Sequence, residues 1–126
     1  MSNAKEIGTK LVNLCREGKN LDAINNLYAD NVVSVEAVEG GGFPREMSGK
    51  EAVLGKGKWW GENHEVHSSE VSGPFPHGDN KFAVRFNMDV TSKPMNNTRM
   101  QLDEVGVYEV EDGKIVREEF FYDMGQ

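Results

Sequence analysis

The sequence predicts an α+β fold, with helices at the amino-terminal end laid on one face of an antiparallel sheet. Three observations carry this. Ile7, Leu11, Leu14 and Cys15 recur at helical spacing. Farther along, Phe82, Val84, Phe86, Met88 and Val90 alternate with Ala83, Arg85, Asn87, Asp89 and Thr91, the two-residue period of a strand with one apolar and one polar face. The helices come first and the strands follow as a run, which is the order of a segregated architecture rather than an alternating α/β one.

Taken in order, Lys5 to Arg16 reads as an amphipathic helix that Gly18 stops. A shorter helix spans Leu21 to Tyr28, with Leu21, Ile24, Leu27 and Tyr28 on one side and Asn20 as its cap. Asn31 ends it, and Val32 to Val38 is a strand rich in β-branched residues. Gly40-Gly41-Gly42-Phe43-Pro44 is a flexible loop without the strand–turn–helix setting or the lysine of a phosphate-binding loop. Ser48 and Glu51 form a capping box for a third helix, Gly49 to Gly61, which Gly55 and Gly57 weaken and which carries Val53, Leu54, Trp59 and Trp60. Glu65 to Val71 is a strand and Gly73 to Asn80 a turn region. The strand from Phe82 follows, then a loop at Pro94 to Thr98, a strand from Met100 to Val110, a hairpin turn at Asp112-Gly113 and a last strand from Ile115 to Tyr122. No repeat or linker interrupts this order, so residues 5–124 are expected to form a single domain.

Composition narrows the function. Acidic residues number 21 against 14 basic ones, a net charge of −7 that excludes nucleic acid as the main partner and disfavours an anionic membrane. No apolar run reaches the roughly 20 residues needed to span a bilayer, and the amino terminus lacks the layout of a secretory signal. The expected setting is therefore cytoplasmic. Cys15 is the one cysteine, which rules out an internal disulfide and reads as a small buried hydrophobe. His64 and His67 sit an odd number of residues apart and point to opposite faces of a strand, so no metal site is expected there, and His64 reads as a solvated histidine. No motif calls for a cofactor. No serine sits in a nucleophile turn with a partnered histidine. Lys50, Lys56 and Lys58 read as a solvated helix face.

The stretches Leu27-Tyr28-Ala29-Asp30-Asn31-Val32-Val33, Ser48-Gly49-Lys50-Glu51-Ala52-Val53 and Tyr108-Glu109-Val110-Glu111-Asp112-Gly113-Lys114-Ile115-Val116-Arg117-Glu118-Glu119, in this order and spacing, resemble the SnoaL-like branch of the nuclear-transport-factor-2-like (NTF2-like) superfamily. The resemblance implies a curved sheet wrapped by helices into a cone around a deep pocket. It also implies a homodimer packed through the outer sheet face, where Val105, Val107 and Phe121 make an apolar centre and Arg85 and Arg117 would meet acidic residues. Ketosteroid isomerases, polyketide cyclases and limonene-epoxide hydrolases share this fold, so fold alone does not fix function.

Strand parity selects the pocket face. The even residues Phe86 and Met88, then Met100, Leu102, Glu104, Gly106, Tyr108 and Val110, then Val116, Glu118, Phe120 and Tyr122, and Glu36 on the first strand, are expected to point inward. By the resemblance, Glu36 falls where ketosteroid isomerases carry their aspartate base. Their carbonyl-polarising tyrosine and aspartic acid correspond to Leu11 and Gly106, neither of which can donate from a side chain. Gly106 also matches an acid position of polyketide cyclases. The aspartate–arginine–aspartate set of epoxide hydrolases corresponds to Met88, Phe86 and Phe120.

What remains is a set of inward carboxylates, Glu36, Glu104 and Glu118, that cannot all ionise cheaply in a poorly hydrated cone. The expectation is Glu36 as base and Glu104 or Glu118 as acid, with Trp59, Trp60, Phe86, Met88, Leu102, Tyr108, Phe120 and Tyr122 contacting a small, mainly apolar ligand. The alternative is structural: Glu104 and Glu118 bonded to tyrosines or Arg117, or reaching solvent. In function, the candidates are a cofactor-free isomerase, cyclase or dehydratase, a non-catalytic ligand-binding module, and a dimeric interaction module.

Overall fold

The computed structural model describes residues 3–123; Met1, Ser2 and Met124, the expected end of the domain, lie outside them. The elements are α1 (Ala4–Arg16), α2 (Asn20–Leu27), β1 (Tyr28–Val35), β2 (Glu46–Ser48), α3 (Lys50–Asn63), β3 (His64–His77), β4 (Lys81–Ser92), a 3-10 turn (Lys93–Met95), β5 (Thr98–Glu111) and β6 (Lys114–Phe121). The strands form one curved, unclosed sheet in the order β2-β1-β6-β5-β4-β3. The fold is the α+β, NTF2-like cone that the sequence predicts. One feature differs from a purely antiparallel sheet: β1 pairs with β6 in parallel.

Local chemistry explains the elements and their departures from expectation. Asn3 Oδ1 accepts from the Glu6 N–H at 3.0 Å and starts α1, and Ala4 is 1% exposed, so these two residues belong to the fold. Ile7, Leu11 and Val12 are buried as their spacing requires. Leu21, placed on the apolar side of α2, is instead exposed, and Asn20 does not cap that helix. Ser48 makes no capping bond either. It pairs with Val33 in the short strand β2, and Gly49, at a φ of 97°, turns the chain into α3. The expected turn after Val71 is instead strand, because β3 continues to His77 through irregularities at Val66/Ser68 and Ser72/Phe75.

The core lies between the concave sheet face and the helices. Phe82, Val84, Phe86, Val90, Tyr108, Val110 and Ile115 come from the sheet, and Ile7, Leu11, Ala23, Ile24, Leu27 and Val53 from the helices. Phe82 and Tyr108 stack at 4.9 Å, and Phe120 meets Tyr108 edge-on at 6.2 Å. Side chains therefore occupy much of the space expected to be a deep pocket. Val116 is not on that face. A register shift between Glu109 and Val110 puts Ile115 inward and leaves Val116 on the outer side. There it helps to line a groove of about 520 Å³ with Ala29, Asn31, Val33, Lys114 and Arg117.

On the outer face, Arg85 grips Asp103 at 2.9 and 2.7 Å, and Arg99 grips Asp89 at 3.0 and 2.8 Å. Arg117 lies between Glu109 at 3.5 Å and Glu119 at 3.2 Å. Arg85 and Arg117 thus both pair with acidic residues of their own chain.

The packing of α1 on the sheet gives a test with a definite sign. A Cβ on Gly8 would lie 2.6 Å from Pro74 Cβ and 3.0 Å from the Phe82 ring, whereas a Cβ on Gly55 in α3 would meet nothing within 4 Å. Gly55→Ala is expected to stabilise the protein by about 0.5–1 kcal/mol through helix propensity. Gly8→Ala gains the same propensity but overpacks the contact, a cost of about 1–3 kcal/mol, and is expected to destabilise. Urea unfolding of both variants checks this; stabilisation by Gly8→Ala would contradict the close α1–sheet contact.

Candidate active site

A chain of hydrogen-bonded side chains crosses the concave face. Ser34 of β1 stands opposite Glu118 in the parallel β1–β6 register, and Tyr108 neighbours Glu118 on β5. Glu118 is 3% exposed; its carboxylate accepts from the Tyr28 hydroxyl and, at 2.6 Å, from Ser34 Oγ. Burial pushes its pKa up, against the pull of these two hydrogen bonds and of Lys56. Ser34 Oγ in turn accepts from Lys56 Nζ at 2.7 Å, and Lys56 donates again to Glu36 Oε2 at 2.8 Å. Tyr122 donates to Glu36 Oε1 at 2.9 Å. The path runs Tyr28, Glu118, Ser34, Lys56, Glu36, Tyr122.

The Lys56 and Glu36 side chains are 15% and 24% exposed, sheltered yet reachable. Lys56 comes from α3, three residues after buried Val53, and its Nζ lies 5.9 Å over the Phe120 ring. Glu36 sits one residue past β1. Its N–H donates to Arg45 O at 2.8 Å, and Arg45 Nε donates back to Glu36 O at 3.2 Å, which fixes the backbone. Burial and the Glu36 carboxylate raise the pKa of the Tyr122 phenol.

Glu104 lies beside this path and outside it. Among the described residues its carboxyl makes no hydrogen bond. Every fully buried side-chain polar atom among those residues has a partner, so the Glu104 carboxyl borders accessible space. Its pKa is pushed up to about 7, first by burial and then by the charges of Glu36 and Glu118, with Lys56 pulling it down. The site therefore holds an ion pair, a buried hydrogen-bonded carboxyl and an unpartnered carboxyl poised near neutrality.

A family model described as a SnoaL-like domain matches residues 1–122. The chain belongs to the SnoaL-like family. A Mesorhizobium loti protein described as a candidate SnoaL-like polyketide cyclase is 44% identical, with a TM-score of 0.86, over 93% of this chain and 97% of its own. A candidate isomerase from Bacillus subtilis shares 20% identity, with a TM-score of 0.74 over 95% of this chain and 86% of its own, and so shares the fold alone. A candidate polyketide cyclase from Pseudomonas putida does likewise at 14% identity and a TM-score of 0.71, over 98% of this chain and 94% of its own. No curated protein matches.

Within this SnoaL-like site, Glu36, Glu104 and Glu118 gather around Lys56, while the expected ligand contacts divide. Met88, Leu102, Phe120 and Tyr122 are partly buried on the same face. Phe86 and Tyr108, expected to line a pocket, are 7% and 2% exposed and belong to the core. Trp59 and Trp60, expected as ligand contacts, engage protein groups. Trp60 stacks on His64 at 4.3 Å, and Trp59 meets Phe43 edge-on at 5.6 Å. The loop at Gly41, with a φ of 60°, lies so close that a Cβ there would be 2.5 Å from the Trp59 ring. His64 is not the solvated side chain its position suggested: Nδ1 is 2.8 Å from Trp60 O and Nε2 is 3.1 Å from Ser92 Oγ. Among the described residues, no three His, Cys, Asp or Glu side chains group as metal ligands. None of their helices is long and apolar enough to cross a membrane.

Sequence reasoning missed Lys56, Ser34 and Tyr28. The available signal was the spacing of Lys56, three residues after Val53 and four before Trp60, which puts it on the inward side of α3. Ser34, in phase with Val32 on β1, carried the same message.

The raised Glu104 carboxyl links stability to pH. Folded Glu104 keeps its proton up to about pH 7, whereas its ordinary value is 4.5. Between those values the folded state binds more protons than the unfolded one, so stability falls as pH rises. The contribution is constant below pH 4.5 and fully lost above about 7. Glu104→Gln removes this term, so its stability relative to wild type is expected to improve from pH 5 to pH 8. Urea unfolding at both values checks this; an unchanged difference would contradict the shifted carboxyl.

Proposed function

We propose that this SnoaL-like protein binds a small, mainly apolar molecule against Met88, Leu102 and Phe120 and moves a proton on it without a cofactor, in an isomerisation, cyclisation or dehydration. The single observation that carries this reading is the Glu104 carboxyl: sheltered, without a hydrogen-bond partner among the described residues and poised near neutral pH. A general acid–base group works best with its pKa close to the working pH and with its oxygens free to reach substrate. Glu36, the base expected from the resemblance, is placed differently. Both of its oxygens are engaged, by Lys56 and Tyr122. In this reading Glu104 exchanges the proton, Glu36 holds Lys56, and Glu118 anchors Ser34 and Tyr28. The Mesorhizobium loti relative, described as a candidate polyketide cyclase, agrees with chemistry of this kind.

A second reading is a ligand-binding module without turnover. Leu11 and Gly106, which stand where ketosteroid isomerases carry their carbonyl-polarising donors, favour it. A Cβ at Gly106 would lie 2.9 Å from the Tyr108 ring and 3.0 Å from its hydroxyl, so no acid fits there unless Tyr108 moves.

Proton exchange separates the two. Small apolar ketones with an acidic C–H are incubated with the protein in D2O, and deuterium uptake is followed by NMR. The enzyme reading predicts exchange that rises with pH through about 7 as Glu104 ionises. It also predicts a loss of about 10²–10⁴-fold in Glu104→Gln. Ketone binding without exchange would leave the binding module standing and the enzyme reading refuted.

A further inference from the structure

Lys56 is the cation of the site, and its ammonium has a donor to spare. Of its three N–H groups, one goes to Ser34 Oγ at 2.7 Å and one to Glu36 Oε2 at 2.8 Å. Among the described residues the third meets no acceptor. Both partners are themselves held. Ser34 donates to buried Glu118, and the Glu36 backbone is locked to Arg45. The ammonium therefore has a fixed position before any ligand arrives, and it is only 15% exposed, where a hydrogen bond is stronger than in water.

Resting on the acid–base reading of Glu104, we propose that Lys56 binds the carbonyl oxygen of the substrate and holds the negative charge that develops there. It takes over the task for which Leu11 and Gly106 supply no side-chain donor. The site thereby selects a neutral, mainly apolar carbonyl compound with an acidic C–H beside the carbonyl.

The step balances within substrate and protein. The Glu104 carboxylate takes the proton from the carbon next to the carbonyl. The C–H electron pair becomes the C=C bond of an enolate, and the carbonyl π pair moves onto oxygen, against the Lys56 ammonium. Glu104 then returns its proton to the same carbon or, in a conjugated substrate, to a more distant one, and the oxygen pair reforms C=O. No electrons leave the substrate and no co-reactant is consumed. In this step Lys56 only donates a hydrogen bond and transfers no proton.

Two measurements test this on the intact chain. In the ketone-exchange assay, Lys56→Met is expected to lower the rate by about 10²–10³-fold, the effect of losing one oxyanion donor. Because that variant leaves Glu36 without its cation, Glu36→Gln/Lys56→Met is measured beside it and is expected to stay equally slow. The second measurement uses 2-naphthol, whose ionised form carries an enolate-like oxygen and is read by fluorescence. Bound to the wild type it is expected to ionise at lower pH than free in solution, by about one unit or more, and Lys56→Met abolishes that shift. Full exchange activity in Lys56→Met, or recovery in the double variant, would overturn the role of Lys56 while leaving Glu104 as the proton carrier. If the wild type exchanges no ketone proton, the acid–base reading fails, and the Lys56 proposal falls with it.

Discussion

An ammonium group held against the concave face of the sheet sets the terms for the surrounding polar side chains. Bringing Lys56 out of water is costly unless its charge and N–H groups are matched. Glu36 supplies the counter-charge and Ser34 an oxygen. Ser34 then has to place its own proton, and Glu118 accepts it. Glu118, deeper still, is satisfied by Tyr28 as well. Each group in the path is explained by the need of the previous one, and the order begins with Lys56. One cation cannot balance three carboxylates in a sheltered space. The cost falls on Glu104, which lies outside the path and is pushed towards its neutral form.

The same packing leaves no room for a side-chain donor at Gly106, where the resemblance would place one in ketosteroid isomerases. Tyr108 lies across Gly106 and stacks on Phe82, so the space an acid would need at position 106 already belongs to the aromatic core. Leu11 is 2% exposed and serves α1 packing. The polar centre of this chain lies towards α3 and the end of β1. A shared fold carries different sites in this way because the curved sheet offers many inward positions and the core requires only some of them.

Much of the architecture was legible in the sequence, because periodicity reports which face of an element is buried. The alternation from Phe82 to Val90 gave β4 its inward face correctly, and the spacing of Ile7 and Leu11 did so for α1. Parity also directed attention to Glu36, Glu104 and Glu118. It failed where the backbone departs from the ideal. The register shift at Glu109/Val110 leaves no mark in composition, so Val116 was placed on the wrong side. Ser48 looked like a cap because residue types alone do not reveal that Gly49 adopts a positive φ and that β2 precedes the helix. Lys56 was lost for a different reason. Glycines at 55, 57 and 61 blur the apolar stripe of α3, and a lysine on a helix is ordinarily a solvated one. Its partners lie 20 and 22 residues away in the chain, a separation at which no local pattern speaks.

The most direct measurement of this arrangement is a carboxyl-carbon NMR titration of glutamate-labelled protein, with the interior resonances assigned by single Glu→Gln variants. The resonance of Glu104 is predicted to move at about pH 7, well above its ordinary value of 4.5. In Lys56→Met its midpoint is predicted to move higher still, because the cation that favours its ionised form is gone. A Glu104 resonance that titrates in the ordinary carboxylate range, or one indifferent to Lys56, would contradict a sheltered acid beside a half-buried ammonium.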